Sequence, residues 1–238
     1  MKLFLFLINL PLVFLPLSSE QEIPETANQA GIATQLKIDK IRYSSNENKI
    51  KTELTAPQLN VDPDLEKFYI LDPSFSITEE NNYKTINAYA ASFNKKNNLI
   101  EFEDNVQIKI SSNSQSLLLD TTKLILNKED DLVTAKTNTY FKSNNFNINS
   151  RELIIRDFST DQNQIVFVDG KIINPDTSEK LGSASKINYS LDSGILIMKG
   201  LAVIKNKTLS VYADEIHYDP DNKKIIKSVN STIISNSQ

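Results

Sequence analysis

A short pattern recurs along this chain and restricts what it can fold into. A small or β-branched residue is followed by two variable positions, an apolar residue, one variable position and an aromatic or aliphatic residue. It reads Ile38-x-x-Ile41-x-Tyr43, Ala56-x-x-Leu59-x-Val61, Ala88-x-x-Ala91-x-Phe93 and Thr121-x-x-Leu124-x-Leu126. It continues as Ser150-x-x-Leu153-x-Ile155, Ala184-x-x-Ile187-x-Tyr189 and Ala213-x-x-Ile216-x-Tyr218. After most copies comes a polar turn and then a fresh apolar run: NKKNN before Leu99, NKEDD before Leu132, SLDSG before Ile195 and DPDNKK before Ile225. The turn after Ile155 is longer, RDFSTDQNQ before Ile165. Polar linkers of this size between apolar runs are hairpin loops. Each copy is therefore one hairpin, too small to bury its apolar face alone, and stacked copies can. From Val61 onward the spacing wanders by a few residues, which favours stacked hairpins or a folded-over sheet over a rigid solenoid.

Within the repeat, Leu99 to Ile110 is the clearest strand. Ile100, Phe102, Val106, Ile108 and Ile110 fall on one face, and Glu101, Glu103, Gln107 and Lys109 on the other. That alternation marks a half-buried antiparallel strand. Ile195-Leu196-Ile197-Met198 is apolar on both faces and belongs nearer the middle of a sheet. Asp104-Asn105, Asp169-Gly170 and Lys199-Gly200 interrupt the second strands and predict bulges or tight bends.

Composition removes whole classes of chemistry. The 238 residues include no Cys, one His and 5 Gly, with formal net charge −4. There is no thiolate nucleophile, no Cys-ligated metal, no multi-His site and no glycine-rich phosphate loop. The mild acidic balance argues against nucleic acid as a partner. His217 lies between Ile216 and Tyr218 in a strand pattern, with no evident orienting group. Glu129-Asp130-Asp131 and Asp219-Pro220-Asp221 fall in turn slots, without calcium-loop spacing. Glu101 and Glu103 read as a solvated face, Ser114 and Ser116 lack a nucleophile elbow, and Lys95-Lys96 and Lys223-Lys224 sit in turns. No catalytic residue, metal site or cofactor is expected, and an enzyme on this scaffold is the least favoured reading.

The amino end is different. Residues 1–19 carry Lys2, an apolar run broken by Asn9, Pro11 and Pro16, and then Ser18-Ser19. They read as a secretory signal cut after Ser19, or as a retained membrane anchor; a spanning helix needs about 20 apolar residues. Both readings export the rest. Residues 20–34 read as a flexible leader.

The segment from Thr85 to Asp157, with its AYAASF, LIEFEDNVQI, LLLDTTKLIL and LVTAKTNTYFKSNNFNINSREL stretches, resembles the lipopolysaccharide-export protein family LptC. Lys180 to Ser235, with ASKINYSLDSGILIMKGLAVI and YADEIHYDPDNKKIIKS, is similar to LptA or OstA-type repeats. The resemblance implies an all-β chain, a folded-over antiparallel β-jellyroll of repeated hairpins. Residues 35–179 would form the LptC-like part and residues 180–238 would continue the same sheet. It implies a protein of the periplasm, held at the inner membrane if residues 1–19 are retained. Such a protein binds the acyl chains of lipopolysaccharide between its sheets. It takes them from an inner-membrane ABC transporter and passes them toward the outer membrane, pairing edge to edge with transporter subunits and another jellyroll. Candidate lipid contacts are the interior positions Ile100, Phe102, Val106, Ile108, Ile110, Val133, Val166, Val168, Leu196 and Met198. The competing reading is an exported β-repeat interaction or adhesive protein with a dry core and no lipid ligand.

Overall fold

The structure is a computed structural model that describes residues 36–47, 50–62, 66–79, 82–111, 116–160 and 163–236. The expected signal or anchor, the leader, Gln35 and Ser114 lie outside the described residues. Among the described residues no helix is long and apolar enough to cross a membrane. Strands follow one another throughout: β1 (Leu36–Glu47), β2 (Ile50–Val61), β3 (Lys67–Leu71), β4 (Ser74–Glu79), β5 (Asn82–Asn87), β6 (Ala90–Asn94), β7 (Leu99–Ser111), β8 (Ser116–Asn127) and β9 (Leu132–Ala135). Then come β10 (Thr139–Lys142), β11 (Asn147–Ser150), β12 (Glu152–Arg156), β13 (Gln164–Ile173), β14 (Lys180–Tyr189), β15 (Leu196–Lys205), β16 (Leu209–Asp219), β17 (Lys224–Val229) and β18 (Thr232–Ser235). All belong to one 18-stranded antiparallel sheet, so the all-β expectation holds.

The pairing shows that this sheet is creased. β2 pairs with β3 through residues 58–61 and with β4 through residues 50–55. β7 pairs with β6 and β5, β8 with β9 and β10, β13 with β12 and β11, and β16 with β17 and β18. Each pair of short strands is thus one long strand broken at its middle, opposite the middle of a continuous neighbour. The breaks line up and divide the sheet into two leaves. The first holds β3, β6, β9, β12 and β17; the second holds β4, β5, β10, β11 and β18. The continuous strands run through both.

The recurring sequence pattern is the crease. On β8 the buried inward residues are Leu117, Leu119 and Thr121 before the break, then Leu124 and Leu126 after it. On β14 they are Ala184, then Ile187 and Tyr189; on β16, Ala213, then Ile216 and Tyr218. The inward set shifts by one residue because the backbone turns a corner, and two variable positions absorb the shift. The first position is small because the leaves converge there. Ala56, Thr121, Ser150, Ala184 and Ala213 are all buried at it.

The strand opposite must lengthen to go round the outside of the same corner, and it does so with bulges. Register shifts fall between Glu103 and Val106 on β7 and between Lys199 and Ala202 on β15. Asp104, Asn105, Gly200 and Leu201 there have φ between 51° and 73°, and Asp169 on β13, at a point where the register does not shift, has φ 53°. Asp, Asn and Gly tolerate this left-handed backbone best. At Gly200 a Cβ would also lie 3.2 Å from the Ser185 side chain.

The leaves fold onto one another and enclose a single apolar core. Phe141 on the second leaf meets Phe167 and Tyr189 on the first at 5.1 Å and 5.6 Å between ring centroids, and Phe146 meets Tyr189 at 5.6 Å. Opposite the crease, the described turns, such as residues 94–99 and 127–132 on the first leaf and 142–147 and 173–180 on the second, form the lips of a slot.

Candidate functional site

The inward faces of the two leaves form an apolar trough, and its side chains define three zones. In the middle zone the trough is filled by the protein itself. Phe102, Val106, Ile108, Ile110, Val133, Leu196 and Met198 point inward with at most 1% exposure, and Ile100 has 8%. Val166 and Val168 differ from expectation. They alternate with buried Ile165 and Phe167 and point outward, half-buried. β13 is apolar on both faces, so its hydrophobicity could not indicate which face is inside; the crease motif Ser150-x-x-Leu153-x-Ile155 does, because Leu153 and Ile155 pair with Phe167 and Ile165.

At the carboxyl end the trough opens. A cavity of about 560 Å³ lies between the leaves there. Its apolar wall is Phe146, Leu181, Ile204, Val211, Tyr218 and Ile225. Lys205, Lys223 and Lys224 stand round it with Asp176 and Asp221. Tyr218 is held above the usual phenol pKa by burial and then by the neighbouring Asp219 charge. Tyr189, on the same inward face, is pushed up to about 12, first by burial and then by Asp221. Both phenols therefore stay neutral here. Across the lips Asn145 donates to Asp221 at 2.7 Å.

Past the cavity the inward face is bare. Ile233, paired with inward Val211, is 64% exposed. The strand made of β17 and β18 pairs with β16, and its far edge meets no other strand among the described residues. At the other end β1 pairs only with β2 among the described residues, and Leu36, opposite inward Val61, is 50% exposed. Among the described residues the trough thus has a closed middle and two open ends, each bordered by a strand paired on one edge.

The remaining polar candidates have local partners. Asp219 accepts from the Asp221 and Asn222 amides at 3.0 Å each and from the Asn222 side chain at 2.8 Å. These bonds hold its carboxyl below the usual range, the Asn222 side chain most. Glu129 accepts from Asn98 at 2.7 Å. Glu101 and Glu103 share Lys123 at 3.0 Å and 2.8 Å on the outer face. His217 lies 2.6 Å from Glu215, which Lys199 also meets at 3.2 Å; His217 first and then Lys199 lower the Glu215 pKa. The arrangement brings apolar surface, rather than acid–base groups, to one place.

Leu181, Ile204, Val211 and Ile225 were not separable from ordinary core by sequence.

The chain matches no curated protein. Its residues 3–156 match the family model described as lipopolysaccharide-assembly, LptC-related. That span runs to the end of β12, and the strands after it extend the same sheet. More than half of the chain is covered, and the chain belongs to the LptC-related lipopolysaccharide-assembly family, whose members are envelope components of lipopolysaccharide transport in the periplasm, associated with the inner membrane.

Proposed function

We propose that the protein carries lipopolysaccharide by its acyl chains, taking them at the open ends of the trough and passing them along to a neighbouring jellyroll. The observation that carries this reading is the open cavity with the inward face beyond it: half-buried Val211 and Ile225 line the cavity, and Ile233 continues the same face with 64% exposure. Ligand cavities run to about 300–1,000 Å³, and the one here falls in that range. Each buried CH₂ of an acyl chain contributes about 0.8 kcal/mol. The three lysines at the rim suit the phosphates of the same lipid. Deeper positions become contact surface when the leaves part: the inward residues of β7, with Val133, Leu196 and Met198. The edges of β1 and β17–β18 that meet no other described strand suit strand pairing, with the inner-membrane transporter at one end and a second jellyroll at the other. The hairpins of residues 180–238 then serve as an LptA/OstA-like extension of the LptC-like part, lengthening the trough toward that partner.

The closed middle favours a second reading, an exported interaction protein with a dry core. Titration of the whole protein with fluorescent lipid A separates the two. Saturable binding near one lipid per chain, competed by unlabelled lipopolysaccharide, is the expected result. Absence of binding at lipid concentrations below aggregation supports the dry core instead.

A further inference from the structure

On β5, Lys84 is paired with Ile77 of β4 and Ile110 of β7, both buried and inward. Its side chain therefore points into the apolar trough, and only 3% of the residue is exposed. A lysine in such a place is costly unless its ammonium is satisfied. The ammonium donates to the carbonyl of Phe158 at 2.6 Å and to that of Thr160, and it lies 5.5 Å from the centre of the Phe158 ring. Those carbonyls belong to the connection between β12 and β13, which starts from the opposite lip. Other turns on that lip, such as residues 94–99 and 127–132, are tight. In this one residues 158–160 reach Lys84 of the second leaf, and Phe158 is packed there with 1% exposure. On its own lip the segment is tied to Asp131. The Asp131 carboxylate accepts from the Ser159 amide at 3.0 Å and from the Ser159 hydroxyl at 2.5 Å, and the Phe158 amide donates to the Asp131 carbonyl at 3.2 Å.

We infer that Lys84 and Phe158–Thr160 form a clasp across the lateral slot, and that an acyl chain loads into the middle of the trough only when this clasp is released. The inference rests on the acyl-carrier reading above. Lys84 ties the second leaf to a segment of the first, and Phe158 occupies inward space that an acyl chain entering from the side needs. Lys84 is a positioning residue: it acts on cargo through the segment it holds. Asp131 keeps that segment on its own lip after release, so the clasp can reclose.

The test uses the full chain with Lys84→Met, which keeps the length of the side chain and removes its donors. Two quantities are read: amide hydrogen exchange in the peptide carrying Phe158–Thr160, and the rate at which fluorescent lipid A loads. Faster exchange together with loading accelerated several-fold is expected. Faster exchange with a wild-type loading rate overturns the clasp, as does unchanged exchange. If Lys84→Met does not fold, the wild-type protein decides, by exchange with and without lipid A. Loss of protection at Phe158 and Ser159 in the loaded protein is expected, and retained protection overturns the clasp while leaving the carrier reading intact. Wild-type protein that takes up no lipid A overturns both.

Discussion

Replacing Phe141 by alanine lowers the stability of the protein by about 3–5 kcal/mol, the range for emptying a fully buried aromatic site. The effect is large because of where the side chain lies. Phe141 is on β10 in the second leaf, fully buried, and its ring stacks on Phe146 at 5.5 Å. It also reaches Phe167 and Tyr189 of the first leaf edge-on. Such ring pairs add about 0.5–1.5 kcal/mol each beyond area burial, without simple additivity. Phe141→Ala therefore removes two aromatic contacts between the leaves and leaves a cavity between two sheets that cannot easily close over it. The neighbouring residue supplies the control. Tyr140 points outward and is half-buried, so Tyr140→Ala costs about 1 kcal/mol or less. Urea unfolding measures both, read as a shift in midpoint at constant slope. Equal losses in the two variants would mean that the leaves do not pack face to face.

Val211→Asp abolishes lipid A binding, weakening it by at least roughly 100-fold, the factor that about 3 kcal/mol of uncompensated carboxylate burial produces. Val211 is inward on β16, opposite Ile204 and Ile233, at the wall of the cavity. The free protein tolerates a carboxylate there because the site is open to water. The complex does not, because an acyl chain lying on Val211 strips that water away. Tyr212 is the next residue, outward and 37% exposed, paired with Thr232. Tyr212→Asp leaves the affinity within a few-fold of wild type. The readout is the same lipid A titration, accompanied by thermal unfolding to show that both variants are folded. Equal affinity in the two variants places the lipid elsewhere.

The fold was legible from the sequence to a useful depth, and particular residues show where legibility ended. The alternation in residues 99–110 indicated both the strand and its inward face, because only one face of β7 is apolar. Asp104-Asn105 and Gly200 signalled bends, since few other residues take a positive φ without strain. The repeated pattern was visible, but its meaning was not. That Ala56, Ala184 and Ala213 are small because two leaves converge on them depends on which strands pair across the crease. Val166 and Val168 show the limit of hydrophobicity alone: on a strand apolar on both faces, composition carries no parity. The open end was invisible for a different reason. Ile204 and Val211 have the same local sequence character as the rest of the core, and only the three-dimensional pairing shows that they line a cavity. Lys84 could have been found. Counting back by two from Ile86 puts it on the inward face, where a lysine demands a partner.

The most direct test of lipid carriage along an open trough is photo-crosslinking from two adjacent positions on β16. A benzophenone amino acid is placed at position 211 or 212 of the full-length protein, and lipopolysaccharide adducts are detected after irradiation during transport. The inward position, 211, is predicted to give a strong adduct and the outward position, 212, little or none. Adducts of equal strength at both positions, or none at 211 in a folded protein, would contradict the account.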